Sequence, residues 1–467
     1  MPFILSGNVG SATAATGFDV DNSVRFNSVD SASMEKDAVA PTDNNKWTFS
    51  AWVKRSKLGT LQEIFYGEAN STNYCTIRFN DTSDTLTFKN RPGSTTSTLT
   101  TTQVFRDVAA WYHLVVVLDT SNGTAANRDI IYINGVRETN FGLESHSGDG
   151  DACYINSDGD AMKISKGNSA SFFDGYMAEV YFIDGQALAA SDFGKFDEDS
   201  GIWKPIDASG LTFGNNGFYL DFKDSANLGN DANGGTDLTE SNLAATDQMI
   251  DTCTNNFPTL NSLESSTVRG TNTYSQGNLQ VLTPQSETGN TFSTVGVSSG
   301  KWYSEFYIKA NSGIERSLVG VSGDVGATLS ASNNVGSLSD ARDVGYMGND
   351  GDKFVSNSES SYGGSAFSIG DVIGVALDLD NNTVNFAQNN SFKGTIAISS
   401  TGTFHMGCGD VSGGARATIV ANYGQNSSFA GSITADNETD EHGEGLFKYS
   451  PPSGFITLNT KNLAEYG

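Results

Sequence analysis

Basic residues are scarce in this chain: Lys and Arg number 27 against 54 Asp and Glu, leaving a formal net charge of −27 over 467 residues. A surface this acidic repels a phosphate backbone, so no nucleic-acid partner is expected. Long apolar runs are missing as well. Nowhere do the roughly eighteen consecutive apolar residues of a membrane span occur, and the opening MPFILSGNVGSATAA has no basic segment ahead of its short apolar stretch. Neither membrane insertion nor a Sec signal is therefore expected. Cysteine is limited to Cys75, Cys153, Cys253 and Cys408. Lacking a CxxC pair or finger-like spacing, they predict neither a zinc knuckle nor a dense disulfide framework, and read as small buried hydrophobes. Helical periodicity is almost absent too. The one short apolar stripe, Leu188, Phe193 and Phe196 within 187–196, predicts a single small helix.

What the chain has in abundance is turn chemistry. Gly reaches 52, and charged residues make up only 17%, which is the composition of many short strands joined by tight turns. The length exceeds the roughly 250 to 300 residues that one hydrophobic core organises, so two domains are expected.

The strands can be read directly. In WTFSAWVK (47–54), Trp47, Phe49, Ala51 and Val53 fall on one face, while Trp52 interrupts the polar face and predicts a strand covered on both sides. WYHLVVVLD (111–119) is a continuous apolar run, too short for a typical helix and rich in Val, as in a central strand. In DIIYINGVRE (129–138), Asn134 and Gly135 carry the signal of a type I′ hairpin turn. The same pattern returns at 371–388, DVIGVALDLDNNTVNFAQ, which points to a second, separate sandwich. The polar stretch 251–266 around Pro258 reads as a connection, and the acidic segment after about 425 as a C-terminal extension ending in GFITLNTKNL.

The series SVRFNS (23–28), WTFSAWVKRS (47–56), WYHLVVVLDT (111–120), IIYINGVRE (130–138) and FFDGYMAEVYFIDGQAL (172–188) resembles the LamG-like, concanavalin-type jelly-roll family. GKWYSEFYI (300–308), SLVGVSG (317–323) and GDVIGVALDLDNNTVNFAQN (370–389) resemble a SPRY domain, with AQNN in place of that family's usual aromatic-x-Asn-Gly turn. Joined by GFYLDFKDSANLGND (217–231) and TNNFPTLN (254–261), the arrangement is similar to tail, fibre and head-surface proteins of tailed bacteriophages. The resemblance implies an all-β chain of two antiparallel jelly-roll β-sandwiches in tandem. The expected organisation is an N-terminal arm (1–20), a LamG-like sandwich (21–255), a linker (256–266), a SPRY-like sandwich (267–425) and a short C-terminal extension (426–467).

Catalytic signatures are not visible. Glucanases on this scaffold need two carboxylates flanking the scissile bond, and no Glu-x-Asp-x-Glu run occurs. Glu179 and Asp184, five apart, fall on opposite faces of an unbroken strand. His113, His146, His405 and His442 are isolated, and neither Gly-x-Ser-x-Gly nor His-Glu-x-x-His is present. Asp149, Asp151, Asp158 and Asp160 concentrate hard oxygen donors in a Gly-rich loop, a candidate calcium site set against the plainer reading of a solvated acidic turn. Tyr74, Tyr154 and Trp203 are the loop-proximal aromatics on which a pyranose ring can stack. The Asn-x-Ser/Thr triplets at Asn70 and Asn122 read as chance products of composition.

The expectation is a non-enzymatic virion-surface protein that attaches to a host-surface glycan or protein, contacts other virion proteins and forms a homo-oligomer, with no required cofactor beyond the calcium candidate. The alternatives are a purely structural capsid or tail decoration (cement) protein, and a polysaccharide depolymerase whose carboxylates converge only in the fold.

Overall fold

The computed structural model describes residues 18–168, 171–264, 271–284, 288–311, 317–330, 335–410 and 416–467. Of the expected N-terminal arm, residues 1–17 lie outside the described residues. The chain divides after Thr254 into two compact units. Both are built from antiparallel sheets, and the all-β tandem of jelly-roll-like sandwiches is what the structure contains.

In the first unit, one sheet runs in the order Val136–Arg137, Asp129–Ile133, Trp111–Asp119, Lys46–Arg55, Gly175–Asp184, Ser23–Phe26 and Gln248–Met249, with Phe218–Leu220 also pairing to Gly175–Asp184. The facing sheet runs Phe141–Ser145, Ser97–Val104, Thr85–Pro92, Asn73–Phe79, Gln62–Asn70, Ala161–Ile164, Ser33–Asp37 and Thr239–Ser241. Alternate residues of both sheets fill the space between them. Trp47, Phe49, Ala51 and Val53 meet Phe65, Ile77 and Phe88 in one core, and Phe49 stacks on Phe65 with centroids 4.8 Å apart.

The opposite face of the first sheet is also covered, which explains Trp52. It belongs to a second apolar layer with Val115, Val117, Tyr181 and Trp203, and its indole stacks on His113 at 4.8 Å. A strand buried on both faces can carry apolar residues on either side, and Trp111–Asp119, hydrogen-bonded between Lys46–Arg55 and Asp129–Ile133, does so as well.

Two local expectations are corrected. The stripe at 187–196 is not an α-helix: a 3-10 turn spans Ala190–Asp192 and a strand Gly194–Phe196 follows. Asp192 accepts from the Ala189 N–H at 2.8 Å and closes the turn, while a Cβ on Gly194 would fall 2.5 Å from the Trp203 ring, so this segment is shaped by the indole beside it. The strand holding Glu179 is not unbroken either. Its register shifts between Ala178 and Tyr181, and Glu179 takes a φ of 49° at this bulge. Its side chain accepts from Tyr181 Oη at 2.5 Å and Tyr219 Oη at 2.9 Å in the outer layer, whereas Asp184 bonds Asn156 and the Thr42 N–H. The two carboxylates still point to different layers.

The second unit has one sheet ordered Thr273–Ser275, Gln280–Leu282, Ala417–Asn422, Lys301–Asn311, Val372–Asp378, Thr383–Gln388 and Ser391–Ala397. The other is ordered Asn290–Phe292, His405–Asp410, Ser317–Ser322, Asp343–Met347, Lys353–Val355 and Ser358–Ser360. Of the stretch 256–266, expected as a linker, residues 265 and 266 lie outside the described residues, and the rest makes contacts within this unit. Leu260 is in its core, the Leu260 N–H donates to Asn278 O at 2.9 Å, and Gln425 Nε2 donates to Pro258 O at 2.7 Å. Within the C-terminal stretch, Ile456–Thr457 pairs in parallel with Lys301–Asn311, and an unforeseen helix, Thr460–Tyr466, is capped by Asn459 accepting from the Asn462 N–H.

Glu305 fixes this C-terminal stretch. Fully buried, it accepts from the Lys448 and Tyr449 N–H groups at 2.8 Å each. Burial pushes its pKa up to about 7 despite those bonds.

Candidate functional site

At one end of the first sandwich the terminal strands of its two sheets follow each other in sequence. The hairpin Asp129–Ile133/Val136–Arg137 ends one sheet, and Phe141–Ser145 ends the other. The Asn134-Gly135 turn makes this possible. Both residues have positive φ, 47° and 80°, and a Cβ on Gly135 would fall 2.2 Å from the Trp203 ring, so no side chain fits there.

Between these edge strands lies a cleft of ≈ 260 Å³ whose wall includes Asp129, Arg137, Glu138, Phe141, Glu144 and His146. Its floor is polar and organised. Asp129, almost fully buried, accepts from the Ser147 N–H at 2.5 Å and the Ser147 hydroxyl at 2.7 Å. Burial holds its carboxyl above the ordinary value, against those donors and the nearby His146. The His146 ring stands between two carboxylates, Nδ1 3.6 Å from Asp129 and Nε2 3.2 Å from Glu144. Arg137 is exposed and donates to Ala126 O at 2.5 Å and Asn127 Oδ1 at 3.0 Å. Glu138 receives the Thr139 and Asn140 N–H groups, which sets the bend between the two edge strands.

Phe141, half-buried and packed against the core of the sandwich, lines the cleft together with Arg137, Glu138, Glu144 and His146, so the cleft offers one apolar ring and several hydrogen-bonding side chains to a small ligand. The volume lies below the roughly 300 to 1,000 Å³ of drug-sized pockets.

The aromatics picked from the sequence are dispersed. Tyr74 lies on the outward face of the second sheet, where its ring stacks on Tyr66 at 6.0 Å with the Lys89 ammonium 5.3 Å away. Burial raises its phenol pKa, but bonds and charges from Lys89 and Arg91 outweigh this and lower it. Trp203 lies on the opposite outer side of the sandwich and is not available to a sugar. It is 9% exposed, its Nε1–H donates to His113 Nδ1 at 3.0 Å, and Phe196 packs edge-on at 4.9 Å. Tyr154 is half-buried in the loop that crosses Gly67.

Nor are the four loop aspartates gathered. Asp149 and Asp158 are exposed, Asp151 accepts from the Gly148 N–H at 2.6 Å, and the Asp160 carbonyl accepts from the Ala38 N–H at 2.9 Å. Among the described residues, the three carboxylates whose oxygens converge within 4.8 Å are Asp350, Asp352 and Glu359 of the second unit, mostly exposed. Nothing in the sequence pattern singles out Asp350, Asp352 or Glu359. The cleft lies at 126–146 and carries no motif; only the NG turn marked its location.

Comparison with known proteins agrees with the two-unit architecture. Residues 26–192 match the family model described as the concanavalin A-like lectin/glucanases superfamily, and residues 288–427 match that of the SPRY domain. The chain thus carries a LamG-like concanavalin-type domain followed by a SPRY domain. No curated protein matches the chain significantly. Among solved structures, the SPRY domain of human HERC1 is 21% identical, covering 31% of this chain and 87% of its own, with a TM-score of 0.27. A SAP-like pentraxin from Limulus polyphemus is 17% identical, covering 37% of this chain and 80% of its own, with a TM-score of 0.29. Domain 4 of AbnA, an extracellular arabinanase of Geobacillus stearothermophilus solved with arabinotriose, is 18% identical, covering 33% of this chain and 67% of its own, with a TM-score of 0.27.

Proposed function

We propose that the chain is a non-enzymatic adhesion protein of a virion surface, acting as a homo-oligomer beside other virion proteins, that takes a host-surface glycan into the cleft at the rim of its first sandwich. The observation that carries the binding reading is the cleft itself: Arg137 and Glu138 from one edge strand and its bend, Glu144 and His146 from the next, with Phe141 among them. The virion setting is supported by the likeness of the motif series to bacteriophage tail, fibre and head-surface proteins. A tandem of two binding scaffolds in an oligomer fits attachment, because repeated weak sites add up to avidity.

The test is a glycan array and an adsorption assay with the full chain and its Arg137→Ala and Phe141→Ala variants. The wild type retains a defined set of glycans, and each variant weakens that binding about tenfold or more, as expected when one anchor of a small site is removed; Arg137→Ala, at an exposed position, does so with an unchanged melting temperature, whereas Phe141→Ala also lowers it, because that ring packs against the core. Absence of any glycan binding, or binding indifferent to both substitutions, contradicts the reading. Release of reducing ends from host polysaccharide replaces it with a depolymerase, and particles that fall apart without the protein replace it with a cement role.

A further inference from the structure

All four cysteines are free thiols, but two of them meet. Cys75 sits in the strand Asn73–Phe79, opposite Gly67 on one side and Asn90 on the other. A Cβ on Gly67 would fall 2.3 Å from the Tyr154 carbonyl oxygen and 2.5 Å from the Ile155 Cα, so the loop lies directly against that strand. On the other side, Asn90 Nδ2 donates to the Ala152 carbonyl at 3.0 Å. Residues 152 and 154–155 are thereby pinned to the two cross-strand neighbours of Cys75, and Cys153 between them is set over Cys75 itself. Both side chains are buried in the same core, and burial, with Cys153 alongside, pushes the Cys75 thiol well above its ordinary pKa.

We propose that Cys75 and Cys153 form a disulfide when the protein meets a small-molecule disulfide such as oxidised glutathione, stapling the loop 146–155 to the sheet. The loop thiol is the entry point, because Cys75 is enclosed between two paired strands whereas Cys153 is carried on irregular backbone that opens locally at lower cost. Cys153, as its thiolate, attacks one sulfur of oxidised glutathione; that S–S bond breaks, a mixed disulfide forms and one glutathione thiolate leaves. Cys75 then loses its proton and attacks the Cys153 sulfur, displacing the second glutathione thiolate. The two cysteine protons end on the two glutathione molecules, which are reduced as the pair is oxidised. The staple closes a long loop of chain, which restricts the unfolded state. It also fixes the segment that carries His146 and Asp149, independently of whether the cleft binds sugar.

The experiment uses the full chain, native and refolded from denaturant, in buffers of increasing oxidised-to-reduced glutathione ratio. The remaining thiols are alkylated under denaturing conditions and the peptides mapped by mass spectrometry. The expected result is a cross-linked peptide pairing Cys75 with Cys153, Cys253 and Cys408 still alkylated, and a melting temperature that rises by roughly 5 °C or more on oxidation. In Cys153→Ala, Cys75 is recovered alkylated. Full alkylation of Cys75 and Cys153 after oxidative refolding, or pairing of either with Cys253 or Cys408, overturns the proposal.

Discussion

Replacing Glu305 by Gln tests the energetics of the second unit at a buried carboxyl. The buried carboxyl has its pKa raised from an ordinary 4.5 to about 7 by burial, which its four hydrogen-bond donors only partly offset. The sign follows from linkage. Between these two values the folded state holds a proton that the unfolded state has released, so stability is fully present below the unfolded pKa and is lost as pH rises through the folded one. The gap corresponds to about 3 kcal/mol, of which most is traversed between about pH 5 and about pH 8. His405, whose pKa is lowered by burial, works in the opposite direction as pH falls, but it is present in both proteins and cancels in their difference. The assay is denaturant unfolding of wild type and Glu305→Gln at both pH values. The wild type should lose about 2 to 3 kcal/mol more than the variant on going from the acidic to the alkaline condition. Parallel profiles would refute the argument, because they would mean that Glu305 ionises as freely in the folded protein as in the unfolded chain.

Three further outcomes follow from the first unit. Trp203→Ala removes a buried indole together with its bond to His113, and should cost about 3 to 5 kcal/mol in chemical denaturation. Gly135→Ala places a Cβ 2.2 Å from the Trp203 ring at a φ of 80°, and should cost about 2 kcal/mol or more, read as a lower melting temperature. Calcium added back after chelation should leave the melting temperature of this unit unchanged, because Asp149, Asp151, Asp158 and Asp160 do not bring their carboxylates together.

The strand pattern was legible because period-two alternation and doubly covered runs are local properties. The Asn134-Gly135 turn, the Val-rich strand 111–119 and the interruption at Trp52 each have the place in the sheets that their residues implied. What sequence could not show depends on partners far along the chain. Trp203 stands near a loop in the sequence, where both a sugar-stacking and a core role are open, and the partner that decides for the core, His113, lies ninety residues away. The stripe at 187–196 looked helical, but Gly194 has to accommodate that same indole. Helix Thr460–Tyr466 had a readable signal in Asn459, an N-cap residue, which was masked by the extended look of GFITLN. The cleft stayed hidden because its carboxylates come from a hairpin and an edge strand whose side chains carry no motif and meet only at the sandwich rim. The juxtaposition of Cys75 and Cys153 likewise arises from a loop folding back onto a strand, not from their spacing.

A crystal structure of the full chain with an oligosaccharide selected on the glycan array tests the central claim most directly. The expected result is a sugar ring packed on Phe141, with its hydroxyls bonded by Arg137 and the carboxylates of Glu138 or Glu144. A sugar seated instead on the Tyr66 and Tyr74 face, or on the second unit, would contradict it.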